Sequence, residues 1–297
     1  MMLNNILQIA KLNSEWVVYL PIYLFILGQI AVWTNNRIKR YNENKSYKKW
    51  VIEWTAQSIP TIELQITETR KFCHLEKISS DFPLQTIMIY PFHIKKMIDS
   101  PIKGFIDSFV TNLQGNKKDN AKMIYDLIAN FNSVQIIIDE IKERHLSWNN
   151  LRKDLVNDWN RCHLGFNRMI NNNTVSIVTS SHEYIPFNMN VINILNKWSS
   201  NTAEHKTNLY NIEIEYLGVL KKYVKSEAEK DIQNKYAIEV NTYIEFEMNN
   251  LIKQWKSSKN ITTNWFDLKA NELEEALKNI VEIQRYFSKC KTKLFCI

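Results

Sequence analysis

From Trp16 to Trp33 the chain runs without a charged side chain, Trp-Val-Val-Tyr-Leu-Pro-Ile-Tyr-Leu-Phe-Ile-Leu-Gly-Gln-Ile-Ala-Val-Trp, and no other stretch of its 297 residues limits the possible folds as strongly. As a helix this run is about 27 Å long, close to the ~30 Å hydrocarbon thickness of a bilayer. Trp16 and Trp33 stand at its two ends, the positions that aromatic side chains occupy at headgroup depth in membrane helices. Pro21 falls within the first turn or two, where a missing N–H costs least. A cleaved leader would need a basic start, a shorter core and small residues before the cut. Residues 1–15 instead carry only Lys11 and Glu15, and the run ends in Val32-Trp33. The pattern therefore predicts a single transmembrane helix over 16–33. A buried helix of a soluble protein is the competing reading, because Tyr19, Pro21, Tyr23 and Gln29 dilute the apolar character.

The net charge of +7 resembles a nucleic-acid signal until it is located. Residues 1–50 hold seven Lys/Arg against Glu15 and Glu43, which leaves 31 basic against 29 acidic residues in 51–297. A nucleic-acid binder would spread its basic residues over a folded face, so no nucleic-acid partner is expected. Here the excess follows the apolar run as Arg37, Lys39, Arg40, Lys45, Lys48 and Lys49. Basic residues beside a membrane helix stay on the cytoplasmic side. The expected topology is a short extracytoplasmic N-terminus (1–15), the span (16–33), a basic juxtamembrane helical stalk (34–58) and a cytoplasmic helical domain (59–297) at the inner face of a plasma membrane. The anchoring residues would be Trp16, Trp33, Arg37, Lys39 and Arg40, set against anionic headgroups.

Only five glycines and six prolines interrupt the chain, too few for a turn-rich β protein or a phosphate-cradling loop. The expected class is all-α, a bundle of long antiparallel helices behind the membrane segment. Pro60 is expected to end the stalk and Thr61–Ser80 to form a further helix. Residues 83–112, punctuated by Pro83, Pro91 and Pro101, read as short helices or a docking loop. Ile124, Leu127, Phe131, Val134, Ile138, Ile141, His145, Trp148, Arg152, Leu155, Trp159, Cys162, Phe166 and Met169 alternate at spacings of three and four, the seam of a long packed helix. Asn171-Asn-Asn-Thr174 should break it. A second seam runs through Leu209, Ile212, Tyr216, Val219 and Tyr223, then Val240, Ile244, Met248, Leu251 and Trp255. The polar stretch 257–264 should separate a last helix, starting near Asn264 to Asp267 and ending around Lys289. No internal repeat of solenoid length stands out.

Catalytic and metal chemistry find little support. Glu-x-x-His spacing for a di-iron bundle is absent, as is His-Glu-x-x-His, since His182-Glu183 is followed by Tyr-Ile-Pro. In Cys73-His74 and Cys162-His163 the neighbours point about 100° apart on a helix, so each pair offers one ligand at most. Asp154, Asp158 and Cys162 share a face near His145, where exposed carboxylates are the simpler account. Scattered Cys73, Cys162, Cys290 and Cys296 give no disulfide framework. No cofactor, metal or catalytic residue is expected.

His145 and Arg152 interrupt an otherwise apolar seam, and polar seam residues fix register or partner choice at a cost in stability. They are the candidate switch positions, while Gly28 and Gln29 are the candidate association positions within the span. The expected function is a membrane-tethered helical scaffold, adaptor or sensor that gathers a cytoplasmic protein partner or copies of itself. One alternative is an oligomeric effector that perturbs the bilayer. A second is an enzyme with an unrecognised helical active site.

Overall fold

The computed structural model describes residues 2–78, 86–90, 106–111, 113, 115–178, 185–202, 205–206, 208–230 and 235–290. The side chains of residues 2–18, with some others inside the helices, lie outside that description. The protein is all-α, and the described residues contain no strand. Helix α1 spans Met2–Ile78, followed by a π-helical turn Ile106–Thr111, then α2 (Lys117–Val178) and α3 (Ile185–Ser199). Helix α4 joins Leu209–Asn211, a π-helical segment Ile212–Leu217 and Gly218–Lys230. Helix α5 joins Lys235–Tyr243, a π-helical segment Ile244–Met248 and Asn249–Lys289. Asn208 caps α4, its side-chain Oδ1 accepting from Tyr210 N–H at 3.0 Å and Asn211 N–H at 3.2 Å.

Two compact units share these helices. The first is Met1–Ile62, Phe92–Gln135 and Glu275–Ile297; the second is Glu63–Pro91 and Ile136–Glu274. In the first, Val51, Thr55, Ser58 and Ile62 of α1 face inward at spacings of four, three and four. Trp54 meets Phe131 of α2 edge-on at 4.7 Å, and Phe109 meets Phe287 of α5 at 4.8 Å. Asn120 pairs with Tyr286 at 2.6 Å and Asn130 with Asn279 at 3.2 Å, so α2 and α5 run antiparallel there.

In the second unit Phe72 of α1 meets Phe266 of α5 at 4.9 Å, and Arg70 reaches Asn271 at 3.2 Å and Glu274. A larger apolar cluster fills the rest, from Leu155, Trp159 and Phe166 of α2 through Val191 and Trp198 of α3 to Tyr216, Leu220, Ile244 and Met248.

Four expectations about the helices are corrected. Not all neighbours are antiparallel: in the second unit Phe72 lies against His145 and Glu76 against Arg152, so α1 and α2 rise together. A parallel pair cannot be closed by a tight turn and needs a long connection, and the sequence between Ile78 and Lys117 is long enough for one. Among its described residues Tyr90 meets Gln65 within the second unit, and Ser108 meets Asn44 within the first. Pro60 does not end a helix, nor does Asn171–Thr174, where α2 continues to Val178. Pro60 and Ala56 are both exposed, so the backbone bond that the proline removes lies on the outer side of the helix. The stretch 257–264 is continuous helix as well. Thr262 and Thr263 are buried in it, and the Thr263 hydroxyl donates to the Asn260 carbonyl at 3.1 Å, within its own backbone.

Candidate functional site

Two regions stand out once the helices are built. The first is the early part of α1 in the first unit. Tyr19, Leu20, Ile22, Tyr23, Leu24, Phe25, Ile26, Leu27, Ile30, Val32 and Trp33 are all exposed, from 48% at Ile26 to 67% at Phe25. Because consecutive residues of a helix point about 100° apart, exposure of Leu24, Phe25, Ile26 and Leu27 together means that every side of the helix is bare and apolar. The largest apolar patch on a typical monomer covers about 300–600 Å², and eleven large side chains exposed by half exceed that. Within this surface Phe25, Ile26, Gln29, Ile30 and Trp33 line a shallow groove. A Cβ on Gly28 would meet nothing within 4 Å. Gln29 is exposed among these apolar neighbours.

The basic stretch follows directly. The Arg37 guanidinium lies 4.8 Å from the centre of the Trp33 ring, a cation–π contact, and Lys39 and Arg40 are exposed. The Trp16 side chain lies outside the described residues, as do those of Val17 and Val18. Among the described residues no helix is long and apolar enough to cross a membrane.

The second region is a polar centre inside the second unit. Arg152 donates from Nη1 to Glu76 Oε2 at 3.1 Å, and both side chains are 2% exposed. Burial pushes the Glu76 carboxyl up, while Arg152, Lys259 and the nearby Trp148 indole favour its charged form. The Trp148 N–H has no partner within hydrogen-bond geometry, so its influence on Glu76 is that of a nearby dipole. Burial likewise lowers Arg152, against the opposing pull of Glu76. The guanidinium also lies 5.8 Å from the Trp148 ring centre.

One turn and more before Arg152, His145 Nε2 accepts from Ile87 N–H at 3.4 Å and lies 3.2 Å from Asn149 Nδ2. Five turns along the same helix a second His–Asn pair repeats this spacing. His163 Nε2 stands 3.3 Å from Asn167 Nδ2, and His163 Nδ1 is 3.0 Å from the Tyr216 hydroxyl. Burial lowers His163. Tyr216 stacks on Trp198 at 4.9 Å, and burial raises its hydroxyl far above the usual range. Tight aromatic packing makes this second pair a core element.

The candidate positions read from the sequence thus fall apart into two groups. Trp33, Arg37, Lys39, Arg40, Gly28 and Gln29 lie along one helix of the first unit, and His145 with Arg152 lies in the second. Asp154 is exposed and Asp158 pairs with Arg161 at the surface, so they form no polar pocket with Cys162. His182 and Glu183 lie outside the described residues. Among the described residues no cluster of three metal-ligating side chains occurs, and Cys73, Cys162 and Cys290 are free thiols.

Sequence reasoning missed Glu76 and Gln65, and placed Trp148 in the seam without its link to the buried pair. The available signal was a polar seam on α1, since Thr55, Ser58, Gln65, Thr69 and Glu76 recur at helical spacing and all are buried. No protein-family model, curated protein or solved structure matches the chain.

Proposed function

We propose that the chain is a membrane-tethered helical protein whose early α1 segment inserts into lipid and whose helical body recruits a protein partner at the membrane surface. The observation that carries this reading is the complete exposure of an apolar helix, residues 19–33, on all sides. Water would penalise that surface by roughly 25 cal/mol for each Å², whereas hydrocarbon removes the penalty at once. The described part alone is short for a crossing, and Trp16-Val-Val18 complete the apolar length. The basic residues that follow suit an anionic, cytoplasmic leaflet.

Gln29 favours a second arrangement within this reading. A carboxamide in hydrocarbon seeks a partner, and the same residue of a second copy offers one, with Gly28 leaving room for close approach. Self-association of the inserted helices would make the protein an oligomeric membrane effector.

Flotation of the purified chain with phosphatidylcholine–phosphatidylserine vesicles, followed by alkaline carbonate washing, tests the tether. Co-flotation that resists carbonate is the expected result, and Leu24→Lys/Ile30→Lys should abolish it. A chain left at the bottom of the gradient without vesicle dependence would remove the proposal. Cross-linking in the same vesicles should give dimers that Gln29→Leu diminishes if the second arrangement holds.

A further inference from the structure

In the second unit a non-helical stretch, Thr86-Ile-Met-Ile-Tyr90, is held against two helices through its own main chain. Tyr90 N–H donates to Gln65 Oε1 of α1 at 2.9 Å, and Ile87 N–H donates to His145 Nε2 of α2 at 3.4 Å. Gln65 is wholly buried, and its Nε2 donates to Thr69 Oγ1 at 3.3 Å, while Thr69 Oγ1 donates back to the Gln65 carbonyl at 2.7 Å. That acceptor is fixed in place. The other acceptor belongs to a ring that titrates near physiological pH in ordinary surroundings.

A backbone N–H can only donate, so His145 Nε2 has to present a lone pair and the ring proton sits on Nδ1. Asn149 Nδ2 lies 3.2 Å from the same Nε2, and Asn149 Oδ1 is buried without a partner. Turning the Asn149 amide over would bring Oδ1 to the place Nδ2 now holds, which is the acceptor that a protonated Nε2–H requires. The site therefore has two hydrogen-bond arrangements. With the neutral ring, Nε2 holds Ile87. With the imidazolium, Nε2–H donates to Asn149 Oδ1 and the Ile87 N–H loses its acceptor.

We propose that Gln65 and His145 form a backbone-recognition cleft that latches residues 86–90, and that proton uptake by His145, with a turn of the Asn149 amide, unlatches them at Ile87 while Gln65 keeps its hold on Tyr90. Charged groups surround the ring from each packed helix. The Glu76 carboxylate of α1 feels the charge of His145 at a distance, Arg152 of α2 and Lys259 of α5 act on the same carboxylate, and Arg144 precedes His145 with its guanidinium 5.9 Å from the Trp265 ring centre. Acid thus frees the Ile87 end of an apolar segment in which Ile87 is buried and Met88 is already exposed, with Tyr90 still held by Gln65. The latch does not depend on the membrane reading, because its parts all belong to the second unit.

Hydrogen exchange of the full chain at about pH 7.5 and about pH 5.5, corrected for intrinsic rates, tests it. The Ile87 amide should lose protection by about tenfold or more at the acid end, where the charged ring has no lone pair left on Nε2 to accept from it. In His145→Gln the side-chain oxygen can still accept from Ile87 and has no proton to gain, so protection should persist at both pH values. Glu76→Gln should keep the pH response, which separates the ring from the ion pair. An unchanged response in His145→Gln, or none in the natural chain, would overturn the proposal. Should that variant fail to fold, nitrogen NMR of the natural chain decides instead: the His145 Nε2 and Ile87 amide signals must titrate with one midpoint, and separate midpoints refute the latch.

Discussion

A Cβ placed on Gly165 would stand 2.8 Å from the Tyr243 hydroxyl oxygen, which donates to the Cys162 carbonyl at 3.0 Å. Gly165→Ala must displace that hydroxyl, and the cost should be about 1–3 kcal/mol. In a Tyr243→Phe background the obstructing oxygen is gone, so the same substitution should cost less than about 1 kcal/mol. Denaturant unfolding of the four chains measures the difference, and additive costs would show that the tightness lies elsewhere. The buried pair makes a sharper case. Burial raises the Glu76 carboxyl, so the folded protein holds this proton more tightly than the unfolded chain does. Stability from this group therefore declines as pH climbs above the ordinary glutamate value of about 4.3. Arg152→Met removes the guanidinium that opposes the shift, and should cost about 3–5 kcal/mol near neutral pH and less in mild acid. Glu76→Leu/Arg152→Met should recover most of that loss, because no uncompensated charge remains buried. A double variant as unstable as Arg152→Met would refute this account. Arg152 was legible in the sequence as a charge at a seam position. Its partner was not, since a helix read as ending at Pro60 offers no frame in which Glu76 falls on the same buried face as Thr55 and Ser58.

Helices here persist through residues that favour their termination, and tertiary packing is the reason. At Pro60 the inward positions Ser58 and Ile62 continue the seam on either side, so the lost backbone bond falls on the exposed face. Pro60→Ala restores that bond and should stabilise the chain by about 1–3 kcal/mol, seen as a higher midpoint in thermal unfolding followed by circular dichroism. A lower midpoint would mean that the first unit needs the proline's local bend. The stretch 257–264 shows the same competition: hydroxyl and amide residues suggest a loop, yet Trp255, Thr262, Thr263 and Phe266 are buried on one face. Burial outweighs local propensity there. The π-helical segments within α4 and α5 had no such warning. Ile212-Glu-Ile-Glu-Tyr216 and Ile244-Glu-Phe-Glu-Met248 echo each other, and both bury their first and fifth residues. Gly218 closes the first of them, with Gly218 N–H bonded to the Glu213 carbonyl and a built Cβ only 3.2 Å from that oxygen. Only the backbone bonds distinguish such a segment from ordinary helix, and residue spacing alone does not record them.

For the molecule as a whole, the question is how charge and apolar surface act together on one helix. The apolar run was legible because its composition stands apart from everything around it, and the basic stretch because it is local; neither needs tertiary packing to be recognised. In the proposed tether the two contribute differently. Apolar insertion is indifferent to lipid charge, whereas each Lys or Arg near an anionic surface adds about 1 kcal/mol. Neutralising three of them, Arg37→Gln/Lys39→Gln/Arg40→Gln, should therefore weaken partitioning into phosphatidylserine-containing vesicles by about 3 kcal/mol, or roughly 100-fold. Partitioning into pure phosphatidylcholine should change little. High salt should reproduce the triple variant's loss in the natural chain, because the screening length falls from about 10 Å at 0.1 M to about 3 Å at 1 M. The Arg37 contact with Trp33 gives one qualification with its own readout: if that stacked pair orients the tryptophan at the headgroups, Arg37→Gln alone should alter Trp33 fluorescence in neutral vesicles without changing affinity. Equal loss from charged and neutral vesicles would assign the basic residues to the helix's own stability, and the electrostatic half of the tether would fall while the apolar half stood.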